Sequence, residues 1–469
     1  MQADYIFTHA TVVTMDAERR VINDGAVAVK GDSIAAVGPT DEVTTRFGNG
    51  GRVITARGKA IFPGLINTHN HLFQTLLKGL GDDRVLSDWL AAMTFPSAVY
   101  LKPDDTYHAA MLGCLDGLHS GTTTMVDYMY AHNGPDLSDG IIAAFRELGI
   151  RAILGRGTMN TAARYGVPAG IQQDVATFVA DFRRLVAAYH GADNGRLRVW
   201  LAPAAVWSNN REMFLAIKDL LQEYDTGLMI HVSETPFDRE ATVTEHGAND
   251  IETLRNLGLL GSRTLMVHCV YLTPREIRMA RDYDARVSHN PVSNMYLSSG
   301  VAPVPLMLAS GMKVGLATDG AASNNSNNML ETLKFAALLH KVHDLDPTVI
   351  TAEKVLEMAT IDGARALGLE QEIGSLEAGK KADLFVFDPQ RSATATPMHH
   401  PVSTLVYSAD SRCVEMVMVD GRVVMEDGRV TTVNEREQLA AAATAAQRLA
   451  ERAGTIRLAS TRPWRSVAY

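Results

Sequence analysis

The segment Phe62-Pro63-Gly64-Leu65-Ile66-Asn67-Thr68-His69-Asn70-His71 decides the fold, because an apolar run ends there in two histidines separated by one residue. In a β-strand, residues i and i+2 point to the same side. His69 and His71 can therefore direct two imidazoles at one point, while Asn70 faces away. This arrangement predicts a strand end that offers two nitrogen ligands to one metal ion. The alternative is a pair of surface or helix-capping histidines, and the rest of the chain is needed to choose between them.

Apolar runs of strand length recur from residue 60 onward, and longer helical patterns lie between them. Strands that alternate with helices predict βα units and a parallel sheet. Eight such units are typical of a (β/α)8 TIM barrel. The main alternative, a doubly wound open sheet, usually has a glycine-rich phosphate loop after its first strand, and the sequence has none there. The predicted strands are residues 60–69, 122–128, 151–157, 198–205, 227–234, 264–270, 286–294 and 313–320.

Short strands at both ends of the chain predict a second, smaller domain. Strand patterns begin at residues 5–15 and return at residues 382–388, and the pair Asp420-Gly421 predicts a tight hairpin. Asn434 and Gly454 predict the two ends of a final helix. We expect the two ends of the chain to pair into a small β-sandwich beside the barrel, which gives an α/β fold class. The predicted divisions are residues 1–59 and 376–432 for the β-sandwich, 60–375 for the barrel, and 433–469 for a C-terminal helix and tail.

The composition of the 469-residue chain is that of an ordinary globular protein, with 46% hydrophobic and 21% charged residues. The net charge is −9 and no basic run stands out, so we expect a small-molecule partner and no nucleic acid. Cys114, Cys269 and Cys413 are far apart and odd in number, which favours a reducing compartment over a disulfide framework. No apolar run is long enough to span a membrane, and no signal-peptide pattern is present. We therefore expect a cytoplasmic protein with no membrane partner.

Titratable residues cluster where the predicted barrel strands end. In TIM barrels the chemistry lies at the carboxyl ends of the strands. Taken one at a time, a histidine there can be a satisfied core residue, and an aspartate can cap the following helix. Their convergence at one end of one barrel favours an active site. The residues are His69 and His71 after the first strand, His231 and Glu234 at the fifth, His268 at the sixth, His289 in the seventh and Asp319 at the eighth.

The residue types at these positions predict a catalytic metal site. Zn²⁺ and Fe²⁺ both accept imidazole nitrogen and carboxylate oxygen, and a catalytic site keeps one position open for water. Such a metal lowers the pKa of its water toward neutrality. Glu234 is placed to shuttle a proton beside the substrate, and His268 to hydrogen-bond the attacking oxygen. The predicted ligands of one metal ion per chain are His69, His71, His231 and Asp319.

The motifs together resemble those of the amidohydrolase superfamily, in the mononuclear-metal branch that deaminates aminated nitrogen heterocycles. The resemblance covers nearly the whole chain. Ser288-His289-Asn290-Pro291 is similar to the S-adenosylhomocysteine and methylthioadenosine deaminase group. Gln74, residues 292–305 and Trp464-Arg465-Ser466 are similar to the s-triazine group of melamine deaminase and atrazine chlorohydrolase. The resemblance implies an active site built on residues 63–71, 231–234, 268–270, 288–294 and 318–324.

The resemblance also implies a role for individual residues. Glu234 would protonate the ring nitrogen next to the carbon that is attacked. Asp319 would take a proton from the attacking water and pass it to the leaving amine, while His268 would orient the hydroxide. A homodimer or a higher homo-oligomer is implied by the resemblance alone. The implied substrate contacts are Gln74, Trp89, Arg156, His289, Asn294 and Ser323.

Two positions depart from the groups that the sequence resembles. Nucleoside-type deaminases tend to carry a glutamate for the ribose hydroxyls in the stretch after strand one, but residues 94–99 contain no acid. The triazine chlorohydrolase has asparagine after the metal aspartate, where this chain has Gly320. The first departure leaves open whether a sugar is bound. The second favours deamination over dehalogenation.

The sequence therefore predicts a metal-dependent aminohydrolase that releases ammonia from an aminated heteroaromatic ring, such as an s-triazine, a purine or an adenosine derivative. One alternative is a hydrolase of the same fold that displaces a halide or opens a cyclic amide. Another is a non-catalytic scaffold, which the loss of a metal ligand or of Glu234 would indicate. None of these residues is missing. The choice of heterocycle and the choice between zinc and iron stay open.

Overall fold

Five short strands form the N-terminal part of the chain in the computed structural model, which describes residues 2–48 and 50–460. They are β1 (Tyr5–Val13), β2 (Val21–Lys30), β3 (Ser33–Pro39), β4 (Arg52–Thr55) and β5 (Ala60–Pro63). β1 pairs antiparallel with β2 and parallel with β4 and β5, and β2 pairs antiparallel with β3. The segment Trp464-Arg465-Ser466, which contributed to the resemblance, lies outside the described residues.

Parallel strands form a barrel in which neighbours in sequence are neighbours in the sheet. They are β6 (Leu65–Asn67), β7 (Thr122–Met129), β8 (Arg151–Thr158), β9 (Leu197–Pro203), β10 (Leu228–Val232), β11 (Thr264–His268), β12 (Arg286–His289) and β13 (Val314–Leu316). The first and last strands meet where the Thr68 amide donates to the Leu316 carbonyl oxygen at 3.2 Å. Burial on both faces explains why these strands are nearly continuous apolar runs. The predicted TIM barrel is confirmed.

Helices connect successive barrel strands and complete the layer around them. Helices α1 to α19 are, in order, Thr40–Phe47, Leu86–Trp89, Phe95–Val99, Pro103–His119, Leu137–Leu148, Val175–Tyr189, Arg211–Glu223, Pro236–His246, Asp250–Leu257, Pro274–Asp282, Pro291–Tyr296, Val304–Ala309, Ala321–Asn324, Met329–Asp344, Ala352–Met358, Ile361–Leu367, Pro401–Tyr407, Glu435–Ala453 and Arg457–Ser460. A π-helical turn, Leu90–Thr94, joins α2 to α3. Among the helices in the described part of the chain, none combines the length and apolar character needed to cross a membrane.

The C-terminal strands join the N-terminal strands in one sheet. β14 (Leu384–Phe387), β15 (Val414–Val419), β16 (Arg422–Glu426) and β17 (Arg429–Val430) are antiparallel neighbours, and β14 also pairs antiparallel with β5. The strands from both ends therefore belong to one continuous mixed sheet. One apolar cluster contains Phe7 and Val27 from the N-terminal strands and Leu384 and Met418 from the C-terminal strands. The predicted pairing of the two ends of the chain is confirmed.

The predicted first barrel strand, residues 60–69, is divided at Gly64. Ala60–Pro63 pairs with β14 in the mixed sheet, and only Leu65–Asn67 belongs to the barrel. The Gly64 amide donates to the Asp383 carbonyl oxygen at 3.0 Å, and the next amide, of Leu65, donates to the Gly121 carbonyl oxygen at 2.9 Å. A Cβ atom at Gly64 would lie 2.0 Å from the Thr123 hydroxyl oxygen, so glycine is required. This junction holds the mixed sheet directly behind the strand that ends in His69 and His71.

The predicted hairpin and final helix are present, with one difference at the helix start. Asp420 and Gly421 have φ values of 52° and 74° between β15 and β16, as a tight primed turn requires. Gly454 ends α18 in the left-handed conformation, with a φ of 68°. Asn434 stands at the start of α18, but its side-chain amide donates to the Glu437 carboxylate at 2.7 Å and makes no bond to the backbone. The expected side-chain cap is therefore replaced by a bond between two side chains.

A buried ion pair fastens the barrel to the mixed sheet and leads to a stability prediction. Arg151 of β8 donates two hydrogen bonds to Asp383, at 2.7 and 3.1 Å, and both side chains are 2% exposed. Asp383→Ala leaves this guanidinium buried without its main partner. We therefore expect the free energy of unfolding, measured in urea, to fall by about 3 kcal/mol. The control is Glu426→Ala, which breaks an exposed pair with Arg52 and should cost about 1 kcal/mol or less. Equal losses in the two variants would contradict the assigned role of the buried pair.

Candidate active site

The predicted site residues lie together at the carboxyl ends of four barrel strands. His69 and His71 follow β6, and His231 lies near the end of β10. His268 is the last residue of β11, and Asp319 follows β13. His268 and Asp319 have φ values of 70° and 64°, a left-handed conformation that turns the chain sharply as each strand ends. Such backbone strain is common at functional sites.

Three imidazoles and one carboxylate converge at the centre of this end of the barrel. The Oδ1 atom of Asp319 lies 3.3 Å from His69 Nε2 and 3.5 Å from His71 Nε2. His71 Nε2 lies 3.2 Å from His231 Nε2. His69, His71 and Asp319 form one group able to hold a metal ion, and His69, His231 and His268 form a second group that shares His69 with the first.

The state of the histidines fits a metal site. His69 is fully buried, yet neither of its ring nitrogens has a hydrogen-bond partner within the protein. The Nδ1 atom of His71 is hydrogen-bonded to the carbonyl oxygen of Tyr128 at 2.7 Å, and that of His231 to the carbonyl oxygen of Ala204. In each ring the Nε2 atom therefore faces the centre and is available as a metal ligand. Burial lowers the pKa of His69 to about 4 and that of His71 to about 3, so both rings are neutral and able to ligate.

Asp319 is held as a carboxylate. Burial opposes its ionisation, but the neighbouring imidazoles, that of His69 first among them, keep its pKa well below the usual range. Its Oδ1 atom also accepts a hydrogen bond from the Gly320 amide at 2.7 Å. A Cβ atom at Gly320 would lie 2.0 Å from Gln74 Oε1, so a larger residue does not fit unless Gln74 moves. Gly320 therefore makes room for Gln74.

Glu234 and His268 form a second layer of titratable groups beside the centre. His268 Nε2 lies 3.5 Å from Glu234 Oε2 and 3.8 Å from Asp319 Oδ2. Burial raises the pKa of Glu234 to about 7, and Ser299 donates to its other oxygen at 3.2 Å. Burial opposes a charge on His268, but the carboxylates of Glu234 and Asp319 raise its pKa. A carboxyl group with a pKa near neutrality is suited to give and take protons at the working pH.

A largely apolar cavity extends from the metal-binding centre. Gln74, Trp89 and Ser323, three of the predicted substrate contacts, line it together with Glu234 and Asp319. The indole nitrogen of Trp89 donates to the Ala322 carbonyl oxygen at 3.1 Å, which fixes the ring in the wall. The remaining lining residues are His71, Leu86, Leu90, Phe95, Tyr130, Met159, Ala204, Ala205, Trp207, His231, Asp238, His268 and Leu297.

Three other predicted substrate contacts do not line this cavity. Arg156 is fully buried, and its guanidinium donates to Asp181 at 2.6 Å and to Gln173 at 2.8 Å, because a buried charge needs partners. His289 Nε2 is bonded to His340 Nε2 at 3.1 Å. Asn294 Oδ1 is bonded to His268 Nδ1 at 2.9 Å, so it orients that ring from behind. These residues therefore hold other side chains in place and do not form part of the cavity wall.

Several residues of the cavity wall were not identified from the sequence. Trp207, in the loop after β9, donates its indole N–H to Asp238 at 2.8 Å, and both residues line the cavity. Phe95 lies in residues 94–99, which contain no acid for a ribose, and it contributes an aromatic ring to the wall. Trp207 follows a barrel strand at its carboxyl end, where site residues are expected. That position was the available signal, but an aromatic residue there can equally belong to the core.

Comparison with known proteins identifies the family. A family model with the description Amidohydrolase family matches residues 60–424, which is most of the chain. The chain belongs to the amidohydrolase family. A second model, the imidazolonepropionase-like composite domain of bacteria, matches residues 25–48 of this amidohydrolase, in its N-terminal strands.

Two curated relatives match this amidohydrolase over nearly its full length. The 5-methylthioadenosine/S-adenosylhomocysteine deaminase of Desulforudis audaxviator is 40% identical over 427 residues, which cover 91% of this chain and 95% of that protein. The 5′-deoxyadenosine deaminase of Methanosarcina acetivorans is 37% identical over 452 residues, which cover 96% of this chain and 99% of that protein. Together with the family match, they confirm a hydrolase that acts on carbon–nitrogen bonds in cyclic amidines.

Solved structures agree with the fold and include both groups that the sequence resembles. An adenosine deaminase from Xanthomonas campestris with bound zinc has a TM-score of 0.89 at 29% identity, over 96% of this chain and 99% of that chain. Atrazine chlorohydrolase from Arthrobacter aurescens TC1, complexed with zinc, has a TM-score of 0.86 at 27% identity, over 94% and 100% of the two chains. The predicted amidohydrolase barrel with a small sheet domain is confirmed.

Proposed function

We propose that this amidohydrolase removes the exocyclic amine of an adenosine derivative as ammonia. The observation that carries the proposal is the position of Glu234, 3.5 Å from His268 in a buried, apolar cavity beside the three imidazoles and Asp319. Hydrolytic deamination of a heteroaromatic ring needs an oxygen nucleophile and a group that protonates the ring, and this arrangement supplies places for both. The names of the two curated relatives support an adenosine derivative as the substrate.

The proposed ligands of one zinc ion per chain are His69, His71, His231 and Asp319. Their neutral imidazoles and ionised carboxylate are in the forms that bind a metal, and the two unpartnered nitrogens of His69 support this assignment. Zinc is proposed because the adenosine deaminase and the atrazine chlorohydrolase described above carry it, although Fe²⁺ accepts the same ligand types. When bound, such a metal lowers the pKa of water and makes hydroxide available near neutral pH.

We assign the proton transfers to Glu234 and Asp319. As the water oxygen bonds to the carbon that bears the amine, Glu234 donates its proton to the adjacent ring nitrogen. Asp319 accepts one proton of the water and passes it to the amine. As the carbon–nitrogen bond breaks, the remaining hydroxyl proton returns to Glu234, so that ammonia leaves, a ring carbonyl is left behind and both carboxyl groups regain their starting states. His268, held by Asn294, orients the attacking oxygen through Nε2 and stabilises the charge that develops on it.

We propose that the ring is held between apolar and polar walls of the cavity. Trp89 and Phe95 offer aromatic surface to the heterocycle. Gln74, whose amide donates to the Tyr130 hydroxyl at 3.1 Å, and Ser323 offer polar groups on the side of Asp319. Residues 94–99 supply no acid for a ribose, so the sugar hydroxyls must find other partners or stay in water.

Ammonia release from a substrate panel tests the proposed function. The zinc-loaded enzyme is assayed with adenosine, 5′-deoxyadenosine, guanine, a pterin, melamine and a chlorinated aminotriazine, and chloride is followed in parallel. We expect ammonia from the adenosine derivatives, with kcat/KM at least about 10²-fold above the other rings, because a site built for one ring rejects rings that leave its buried polar groups unpaired. Ammonia only from free bases or triazines would contradict the nucleoside assignment, and chloride release would replace deamination with dehalogenation.

The remaining predictions concern assembly and location. A homodimer or a higher homo-oligomer, a cytoplasmic location and the domain boundaries given above stay predictions from the sequence.

A further inference from the structure

The cavity wall beyond the catalytic centre offers an anionic part of a substrate no cation as a partner. Within the described part of the chain, the residues that line this cavity include no lysine and no arginine. Arg156, the cation expected there, is occupied by Asp181 and Gln173. Leu86, Leu90, Met159 and Leu297 are among the apolar residues that line it. An anionic group that enters this part of the cavity therefore loses water without gaining an ion pair.

The carboxylate of Asp238 lines the cavity but is already engaged. Its Oδ1 atom accepts the indole N–H of Trp207 at 2.8 Å. Its Oδ2 atom accepts hydrogen bonds from the Thr235 amide and the Thr235 hydroxyl, both at 2.7 Å. Asp238 is therefore placed to fix the indole ring of Trp207 in the wall rather than to bind a cationic group of the substrate.

Trp207 belongs to a cluster of three aromatic rings. Its ring centroid lies 5.0 Å from that of Tyr165 and 5.4 Å from that of Phe237, and the rings meet edge to face. Phe237 is 41% exposed, so the cluster extends from the cavity to the surface. The cation next to this cluster, Arg164, is 60% exposed and is paired with Glu245 at 3.1 Å. The cluster therefore presents aromatic surface from the cavity wall to the exterior of the protein.

We propose that Trp207, positioned by Asp238, determines specificity for the part of the substrate outside the adenine ring, and that it selects a neutral, apolar substituent over a charged one. This inference rests on the proposed function. 5′-Methylthioadenosine and S-adenosylhomocysteine share adenine, ribose and a 5′ sulfur, and they differ only in the group on that sulfur. The first carries a methyl group, and the second carries an amino acid with an ammonium and a carboxylate. The aromatic wall favours the methyl group, because the amino acid would lose its hydration without partners.

The test compares these two nucleosides as substrates of the zinc-loaded enzyme. We expect kcat/KM for 5′-methylthioadenosine to exceed that for S-adenosylhomocysteine by at least about 10-fold, with most of the difference in KM. Equal values, or a preference for the charged compound, would overturn the inference and leave the deaminase assignment in place. No ammonia from either compound, with ammonia from 5′-deoxyadenosine, would overturn the inference and leave the deaminase assignment in place. No ammonia from any of the three would reject the proposed function, and this inference with it.

Variants of the wall residues then assign the preference to Trp207. Trp207→Phe should reduce the preference several-fold by raising KM for 5′-methylthioadenosine more than KM for S-adenosylhomocysteine. The control is Trp200→Phe in β9, because Trp200 has the same 7% exposure but packs against Gly227 outside the cavity. Asp238→Ala should act like Trp207→Phe, and Asp238→Asn, which keeps an acceptor, should restore part of the preference. A preference unchanged in all three wall variants would contradict the role of Trp207.

Discussion

Glu234→Gln is expected to lower kcat for ammonia release by about 10³-fold while the protein keeps its metal. Glutamine preserves the size of the side chain and can still accept the hydrogen bond that Ser299 donates at 3.2 Å. It has no proton to exchange, so the ring nitrogen is not protonated as the water oxygen adds. Glu234 is not among the proposed metal ligands, and its nearest titratable neighbour is His268 at 3.5 Å. The measurement is kcat together with zinc per chain by elemental analysis.

The matched control for this experiment is Glu276→Gln. Glu276 is 4% exposed, about as buried as Glu234, but it caps α10 by accepting hydrogen bonds from Thr273 and does not line the cavity. Glutamine is accepted at this position of a capping box, so kcat should stay within about threefold of the wild type. Near wild-type turnover in Glu234→Gln would contradict its assigned role. A comparable loss in both variants would point to general damage to the fold.

The barrel and the centre of its site could be predicted because their signals are local. An apolar run followed by a polar residue marks the end of a parallel strand, and the carboxyl ends of such strands meet at one face. His69, His71, His231 and Asp319 each carry this signal, and the structure brings them together. The alternation of strand and helix patterns along the sequence does not show which of the two sheets a strand joins. The change of sheet at Gly64 was therefore missed, since it depends on hydrogen bonds to Asp383 and Gly121.

The cavity wall could be predicted only in part, because it depends on where side chains point and on what they contact. Arg156 lies on a barrel strand as expected, but Asp181, on another element, determines the direction of its guanidinium. Trp207 and Asp238 are 31 residues apart in sequence, and only the fold makes them partners. A titratable residue at a strand end indicates a catalytic or metal-binding role, because its side chain can exchange protons or ligate a metal. An aromatic residue there can belong either to the core or to the cavity wall, and only the three-dimensional structure distinguishes the two.

His69→Ala is expected to abolish metal binding and with it the activity. His69 is fully buried and both of its ring nitrogens lack protein partners, so its removal leaves no neighbouring donor or acceptor unpaired in the protein. The substitution should therefore weaken metal binding and leave the surrounding hydrogen bonds intact. We expect zinc to drop from one per chain to well below that value after dialysis. Ammonia release should fall by at least about 10³-fold, since hydroxide is then scarce at neutral pH.

A second readout separates loss of the metal from loss of the fold. Ligands that bind only the folded state raise its stability, so added zinc should raise the melting temperature of metal-free wild type and leave that of His69→Ala unchanged. The control is His132→Ala, which removes a histidine of 1% exposure that is bonded to Ser138 and lies outside the centre. This variant should be less stable but should still bind one zinc and respond to it. Full zinc content in His69→Ala would overturn the ligand assignment, whereas zinc loss in both variants would show that any buried histidine at this end of the barrel has the same effect.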